Sequence, residues 1–247
     1  MKLSILYEDN DIVAVFKPAG ILTHPDGVLE EETVSDWFAK TYPNSKNVGE
    51  EQVLKDGTSI LRSGIMHRLD RDTSGVLVLA KTPEAHAFLK KAFQEHEVQK
   101  TYIALTYGVP PKKEGVIDFP IGRSRKDFRL RSAQPKAKGL LRPAITKYKV
   151  LGVFGEYGLI ELQPKTGRTH QIRVHLKAVH HPIVCDPYYA PSYKPGLGME
   201  RLALHAFQIT IPLPQGGTTT IISPLPEDMR TAVAHFPEGA YLLEGTT

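Results

Sequence analysis

Apolar positions recur along this chain in two rhythms. Short alternating or continuous runs bounded by turn residues predict strands over Ser4–Tyr7 and Ile12–Phe16, on either side of the turn Glu8-Asp9-Asn10-Asp11. Lys17-Pro18-Ala19-Gly20 breaks the second of these. Helical spacing puts Val34, Trp37 and Phe38 on one face of a helix over Thr33–Thr41. Residues 43–63 are polar and contain glycine, and read as a mobile loop. Val76-Leu77-Val78-Leu79-Ala80 is strand-like. Thr82-Pro83-Glu84 then supplies a hydroxyl cap, a proline at the first helical position and an early acid, predicting a helix to about His96 with Ala85, Leu89, Ala92 and Phe93 as its buried stripe. Strands follow over Thr101–Tyr107, Ala144–Leu151 and Tyr157–Leu162. Thr169 is placed to cap a helix whose Ile172, Leu176 and Val179 face inward. Leu202–Ile211 and Thr218–Ile222 pair across Pro214-Gln215-Gly216-Gly217, Glu227–Phe236 forms a last helix, and residues 244–247 are a tail expected to fray. Strands in runs with helices inserted irregularly indicate an α+β fold rather than strict βαβ alternation.

Composition narrows the setting. A chain of 247 residues is long enough for one large domain or two lobes, and 41% hydrophobic with 23% charged residues is the balance of a globular protein. No apolar run approaches the roughly 18 residues of a membrane span, and acids appear too early for a signal-peptide core. Cys185 is the single cysteine, so no internal disulfide can form; a reducing, cytoplasmic location is expected. The formal charge is only +4, but its distribution is uneven: residues 123–142 carry Arg123, Arg125, Lys126, Arg129, Arg131, Lys136, Lys138 and Arg142 against the one acid Asp127, a net +7. Concentrated positive charge interleaved with Phe128 and Leu130 points to a polyanion such as RNA; the alternative is a solvated loop that aids solubility.

The densest candidate chemistry lies in Gly64-Ile65-Met66-His67-Arg68-Leu69-Asp70-Arg71-Asp72-Thr73-Ser74-Gly75, where a carboxylate, Asp70, stands between two arginines and a turn-forming run leads into a strand. Neighbouring cations hold a carboxylate ionised, as a nucleophile or base requires; a structural ion pair at a strand entrance would look the same. Metal and nucleotide chemistry find no footing. His170 and His175 are five apart and do not share a helix face, His180-His181-Pro182 has no companion ligand at metal-binding spacing, and there is no Gly-x-x-x-x-Gly-Lys-Ser/Thr loop.

The wording of the Asp70 segment resembles the signature of the RluA family of pseudouridine synthases. Three further segments match in the same chain order: Asp11 through Gly20, Gln99-Lys100-Thr101-Tyr102-Ile103-Ala104, and Lys165-Thr166-Gly167-Arg168-Thr169-His170-Gln171-Ile172-Arg173-Val174-His175-Leu176. The resemblance implies a pseudouridine synthase fold, a mixed, largely antiparallel bent sheet in two lobes around a central catalytic cleft. It also implies a single catalytic domain over residues 1–247, with 123–142 as a basic insertion that contacts RNA. The family's opening motif stands at the start of this chain, so a short form without an S4-like domain is expected. The implied reaction converts uridine in structured ribosomal or transfer RNA to pseudouridine, with no metal, nucleotide or other cofactor, and a monomer is expected. Asp70 maps to the catalytic residue, attacking C1′, attacking the base, or removing a sugar proton. Arg168 maps to its basic partner, the alternative being a phosphate contact. Tyr102 maps to a tyrosine against the uracil ring that takes part in removing the C5 proton. Arg68 is assigned to the gap left by a flipped base or to a phosphate, His67 to a hydrogen bond orienting the motif, and Leu204 to apolar packing on the flipped base or to the ordinary core. Arg125, Lys126, Arg129 and Arg131 are assigned to the RNA track. Two other readings compete: a catalytically silent RNA-binding or ribosome-assembly factor of the same fold, which intact Asp70, Tyr102 and Arg168 oppose, and an Asp-nucleophile hydrolase, which no acid–base pair of matching spacing supports.

Overall fold

Apolar alternation puts Ser4–Glu8 (β1) and Ile12–Lys17 (β2) into an antiparallel hairpin running from Ser4↔Phe16 to Glu8↔Val13. Asp9 closes its turn, one carboxylate oxygen accepting the N–H of both Asp11 and Ile12 at 2.8 Å. The helix Val34–Thr41 (α1) starts at Thr33 with a reciprocal capping box to Asp36, and buries Val34, Trp37 and Phe38 as the periodicity predicts. The strand Ser74–Ala80 (β5, after β3 and β4 below) pairs with β2 from Ile12↔Ala80 to Lys17↔Gly75 and is buried at all seven positions. The helix Pro83–Gln94 (α2) covers it, capped by Thr82 and burying Ala85, Leu89 and Ala92. Phe93, expected in that stripe, is only half-buried and stacks on His67 instead, while His86 is buried. Each apolar side chain that β5 removes from water contributes roughly 1.5–3 kcal/mol, so this strand anchors everything attached to it.

The structure, a computed structural model, describes residues 1–25, 31–53, 57–125, 130–133 and 137–244. Among them, segment 43–63 is not the loop its polarity suggests. After a 3-10 turn at Pro43–Ser45, Gly49–Val53 (β3) and Ser59–Ser63 (β4) form an antiparallel ladder from Gly49↔Ser63 to Val53↔Ser59. Neither strand has a buried apolar face, most of their positions being half-buried, so nothing forces the alternation that would have announced them. By contact density these elements, Met1–Gln99 with Gln208–Ser223, form one unit; Lys100–Phe207 with Pro224–Thr247 form a second.

In the second unit Gln99–Tyr107 (β6), Glu114–Asp118 (β7), Ile145–Phe154 (β11) and Tyr157–Pro164 (β12) pair antiparallel in the order β6-β12-β11-β7. Ile121–Arg123 (β8), Arg131–Ser132 (β9) and Lys138–Arg142 (β10) make a small three-stranded sheet with β8 in the middle. The helix Gln171–Ala178 (α3) lies between two cores. Ile172 and Leu176 join Ile103, Leu105, Leu159 and Ile160, while Val174 joins Ile121, Ala133, Ala144 and Tyr189 under the small sheet. Thr169 does not cap α3. His170 takes that position in a left-handed conformation (φ 57°), and the buried Gln171 amide ties the helix start to β11, donating to the Ile145 carbonyl and the Thr146 hydroxyl at 3.0 Å. The strand Leu204–Pro212 (β13) runs from the second unit into the first, where Thr218–Ile222 (β14) pairs with it. The last helix, Glu227–Val233 (α4), is shorter than expected because Pro237 opens a 3-10 turn over Pro237–Leu242. Of the tail expected to fray, residues 245–247 lie outside the described residues. No helix among the described residues is long and apolar enough to cross a membrane.

Gly64 sits where β4 hands over to the Asp70 segment. Its φ is +71°, its N–H reaches the Val48 carbonyl, its carbonyl accepts from Ala80, and a Cβ there would lie 2.9 Å from the Phe38 ring. Gly64→Ala therefore combines left-handed strain with overpacking and should lower unfolding free energy by about 2–4 kcal/mol in a urea titration. Gly57→Ala, at φ +86° but facing open space, should cost about 1 kcal/mol.

Candidate active site

Asp70 follows Leu69, which is buried, and precedes the turn into β5; its own side chain is half-buried. Main-chain clamps hold both of its neighbours. The Thr23 hydroxyl donates to the Leu69 carbonyl at 2.9 Å and accepts from the Leu69 N–H at 3.3 Å. Lys17, fully buried at the end of β2, donates to the carbonyls of Arg71, Pro18 and Ile21 at 2.8–2.9 Å. Three such donations require all three N–H bonds of an ammonium group, so a buried charge is satisfied by backbone dipoles. The Gly20 N–H also reaches the Arg71 carbonyl, and the Thr73 N–H closes a turn onto the Asp70 carbonyl. The break in the strand pattern at Lys17-Pro18-Ala19-Gly20 is thus the segment that grips the Asp70 loop. The sequence reading assigned no role to Lys17 or Thr23.

The flanking arginines do not cradle Asp70. Arg71 Nε donates to the Gly20 carbonyl and its Nη2 to Glu31, while exposed Arg68 reaches His24 at 3.1 Å. Both arginines are thus engaged by groups of other segments, although they adjoin the carboxylate in sequence. His67 accepts the Val78 N–H at Nε2 (3.0 Å) and packs its ring on Phe93, so Nε2 carries no proton and the ring is keyed to the middle of β5.

The other candidate residues belong to the second unit. Tyr102 lies opposite Leu162 on β6, half-buried at the margin of the core. Leu204 is buried in that core. The Arg168 N–H donates to the Gln171 side-chain amide oxygen, Oε1, at 3.0 Å and its Nε to the Pro143 carbonyl at 3.1 Å. Around it opens a groove of about 790 Å³ whose walls carry Arg123, Arg125, Arg131, Arg142 and Arg168, with no carboxylate among the described lining residues. Arg125 and Arg131 are therefore brought together with Arg168; Lys126 and Arg129 lie outside the described residues. His175, weighed above as a ligand, is a core histidine: its ring nitrogens meet the Thr146 hydroxyl (2.9 Å) and the Phe119 carbonyl (3.0 Å), and burial pushes its pKa down.

A family model described as RNA pseudouridylate synthase matches residues 11–178. The chain belongs to that family. The membership expected from the four motifs therefore holds, and this pseudouridylate synthase family member has close relatives. It is 41% identical over 225 residues to an uncharacterized RNA pseudouridine synthase of Chloroflexus aurantiacus, covering 91% of this chain and 66% of that protein. It is 38% identical over 234 residues to the ribosomal large subunit pseudouridine synthase D of Nitrosomonas europaea, covering 92% of this chain and 63% of that one. It thus spans just under two thirds of those relatives. Among solved structures, human RNA pseudouridylate synthase domain containing 4 superposes with a TM-score of 0.72 at 26% identity, over 94% of this chain and 92% of that one. The fold is that of pseudouridylate synthase domains, as expected.

Lys100 stands two residues before Tyr102 and so on the same face of β6. Burial, with the nearby Lys165 charge as a smaller cause, pushes its pKa down to about 8. The folded chain then releases this proton before the unfolded chain does. The charged amine costs stability at neutral pH, and the cost fades between about pH 8 and the 10.5 of an unfolded lysine. Lys100→Met should be more stable than the parent at pH 7, and its advantage should shrink by about 1–3 kcal/mol by pH 10.5 in paired denaturant titrations.

Proposed function

We propose that this chain isomerises a specific uridine of structured RNA to pseudouridine, and that its two units serve as one catalytic domain. The observation that carries the reading is the Asp70 loop itself: a half-buried carboxylate in the family's motif, whose main chain is clamped on both sides by buried donors. Preorganisation of this kind is what a reaction without redox step, metal or nucleotide demands of a protein. The N1–C1′ bond must break, the uracil turn, C5 join C1′, and the C5 proton leave.

In this proposal Asp70 starts the rearrangement, by attack on C1′, attack on the base or removal of a sugar proton. Arg168 is assigned the part of its basic partner, a guanidinium being able to hold a carboxylate in a fixed bidentate geometry. Tyr102 lies against the uracil ring and its hydroxyl takes part in removing the C5 proton; Leu204 lends apolar surface to the flipped base. Arg68, exposed and in contact with His24, follows RNA into the space the base vacates. The relatives named for the ribosomal large subunit make large-subunit RNA the first substrate to try, with transfer RNA the second. A cytoplasmic monomer fits this role.

The test is release of tritium from RNA labelled at uridine C5, with pseudouridine mapping of total RNA to find the position. Asp70→Asn should reduce single-turnover release by at least about 10³-fold while RNA affinity and the melting curve stay near those of the parent; turnover at the parental rate would refute the assignment. Tyr102→Phe, which keeps the ring and loses the hydroxyl, should slow single turnover by about 10²-fold with little change in affinity. An unchanged rate would leave Tyr102 a packing residue.

A further inference from the structure

One aromatic residue beside the arginine groove is unused by the chemistry above. Tyr188 is 43% exposed, although its neighbours belong to a rigid, buried framework. Asp186, 1% exposed, takes a bidentate pair from Arg173, also buried, at 2.8 Å through both oxygens, and one of those oxygens also accepts the N–H groups of Tyr188 and Tyr189 at 3.0 Å. The Arg173 guanidinium lies over both tyrosine rings at 5.2–5.3 Å. The His170 ring runs nearly parallel to Tyr188, 17° between planes and 6.1 Å between centroids, and is itself held by the Tyr189 hydroxyl at 3.0 Å. That same hydroxyl accepts the N–H of Arg131, a wall residue of the groove, and Thr169, the residue before His170, lines the groove directly. Groove wall and Tyr188 are thus parts of one hydrogen-bonded body.

We propose that Tyr188 is a stacking platform for an unpaired base of the RNA whose phosphates run along Arg123, Arg125, Arg131 and Arg142. A strand of phosphates in an arginine groove positions without reading sequence. A ring held still at the groove's margin adds preference for nucleotides free to leave a helix, because every base has a face to stack and only an unpaired one can turn it outward. Tyrosine suits this, having few rotatable bonds to lose, and His170 and Arg173 fix the ones it has. The inference rests on the reading of this chain as an RNA-modifying enzyme and deepens it: the substrate segment beside the target is looped or single-stranded.

The probe is a short fluorescent single-stranded RNA, and the same RNA annealed to its complement, titrated at several salt concentrations with the full chain. Tyr188→Ala should weaken single-strand binding about tenfold at every salt concentration, with the log–log salt slope unchanged. Tyr188→Phe should bind within about twofold of the parent, and duplex binding should move in neither variant. Arg125→Gln with Arg131→Gln should instead flatten the slope, by roughly 0.7 per lost phosphate contact on single strands. Should Tyr188→Ala melt early, Tyr188→Leu keeps the bulk without the ring and must show the same loss. Parental affinity in the Ala or Leu variant, equal losses in Phe and Ala, or an equal loss on duplex would overturn the platform. Binding is read without turnover: a chain that stacks RNA on Tyr188 but never releases C5 tritium would sink the synthase reading alone.

Discussion

A lysine that never meets water holds the candidate site together. Lys17 ends β2 with no exposed surface, and backbone carbonyls take the place of its hydration shell. Those carbonyls come from two stretches far apart in sequence, the segment after β2 and the Asp70 loop. The desolvation cost of one charge thereby becomes a constraint on the path of both. Removing the amine would take a donor from three carbonyls at once, although that of Arg71 keeps the Gly20 N–H, so the loop geometry and the local stability cannot be separated. The Thr23 bridge to Leu69 repeats the logic one residue before Asp70, with a hydroxyl in place of a charge.

The second unit solves a related problem with an amide. Gln171 spans from the Arg168 loop to β11, accepting from the Thr166 hydroxyl and the Arg168 N–H and donating to Ile145 and Thr146. The left-handed His170 is the cost of that turn, of the order of 1–3 kcal/mol for a residue with a side chain, and its ring bond to Tyr189 offsets part of it. Five arginines around one groove would repel each other if nothing spread them. Here Arg168 leans on the Pro143 carbonyl and Arg131 on that of Leu130, each guanidinium partly neutralised by a peptide dipole.

How much of this could be read beforehand depends on whether the signal is local. The Thr82 cap of α2 and the buried face of α1 were legible because hydroxyl, proline and apolar spacing act within one helix turn. The Asp70 segment was legible as chemistry because its residue types have few other reasons to stand together. Lys17 was not: a lysine beside Pro-Ala-Gly looks like a solvated turn, and only tertiary burial makes it a clamp. Thr169 misled for the opposite reason. Its capping signal is good, but a glutamine amide two residues on reached further and won the helix start. The β3–β4 ladder escaped because two strands without a buried apolar face need no hydrophobic alternation, and the arginines beside Asp70 escaped because adjacency in sequence is not adjacency of side chains.

The full burial of β5 has a bearing on dynamics. Strands sealed on both faces open only when their whole cooperative unit opens, so their amides exchange with solvent last. The Asp70 loop is spliced directly onto the start of this strand, and His67 is keyed to its middle through Val78. Partial unfolding, which in many enzymes loosens a functional loop while the rest of the domain stays native, therefore has little to release here. The main chain around the carboxylate persists for as long as the unit stays folded, and motions that would admit and discharge the proposed RNA have to be borne by other parts of the molecule.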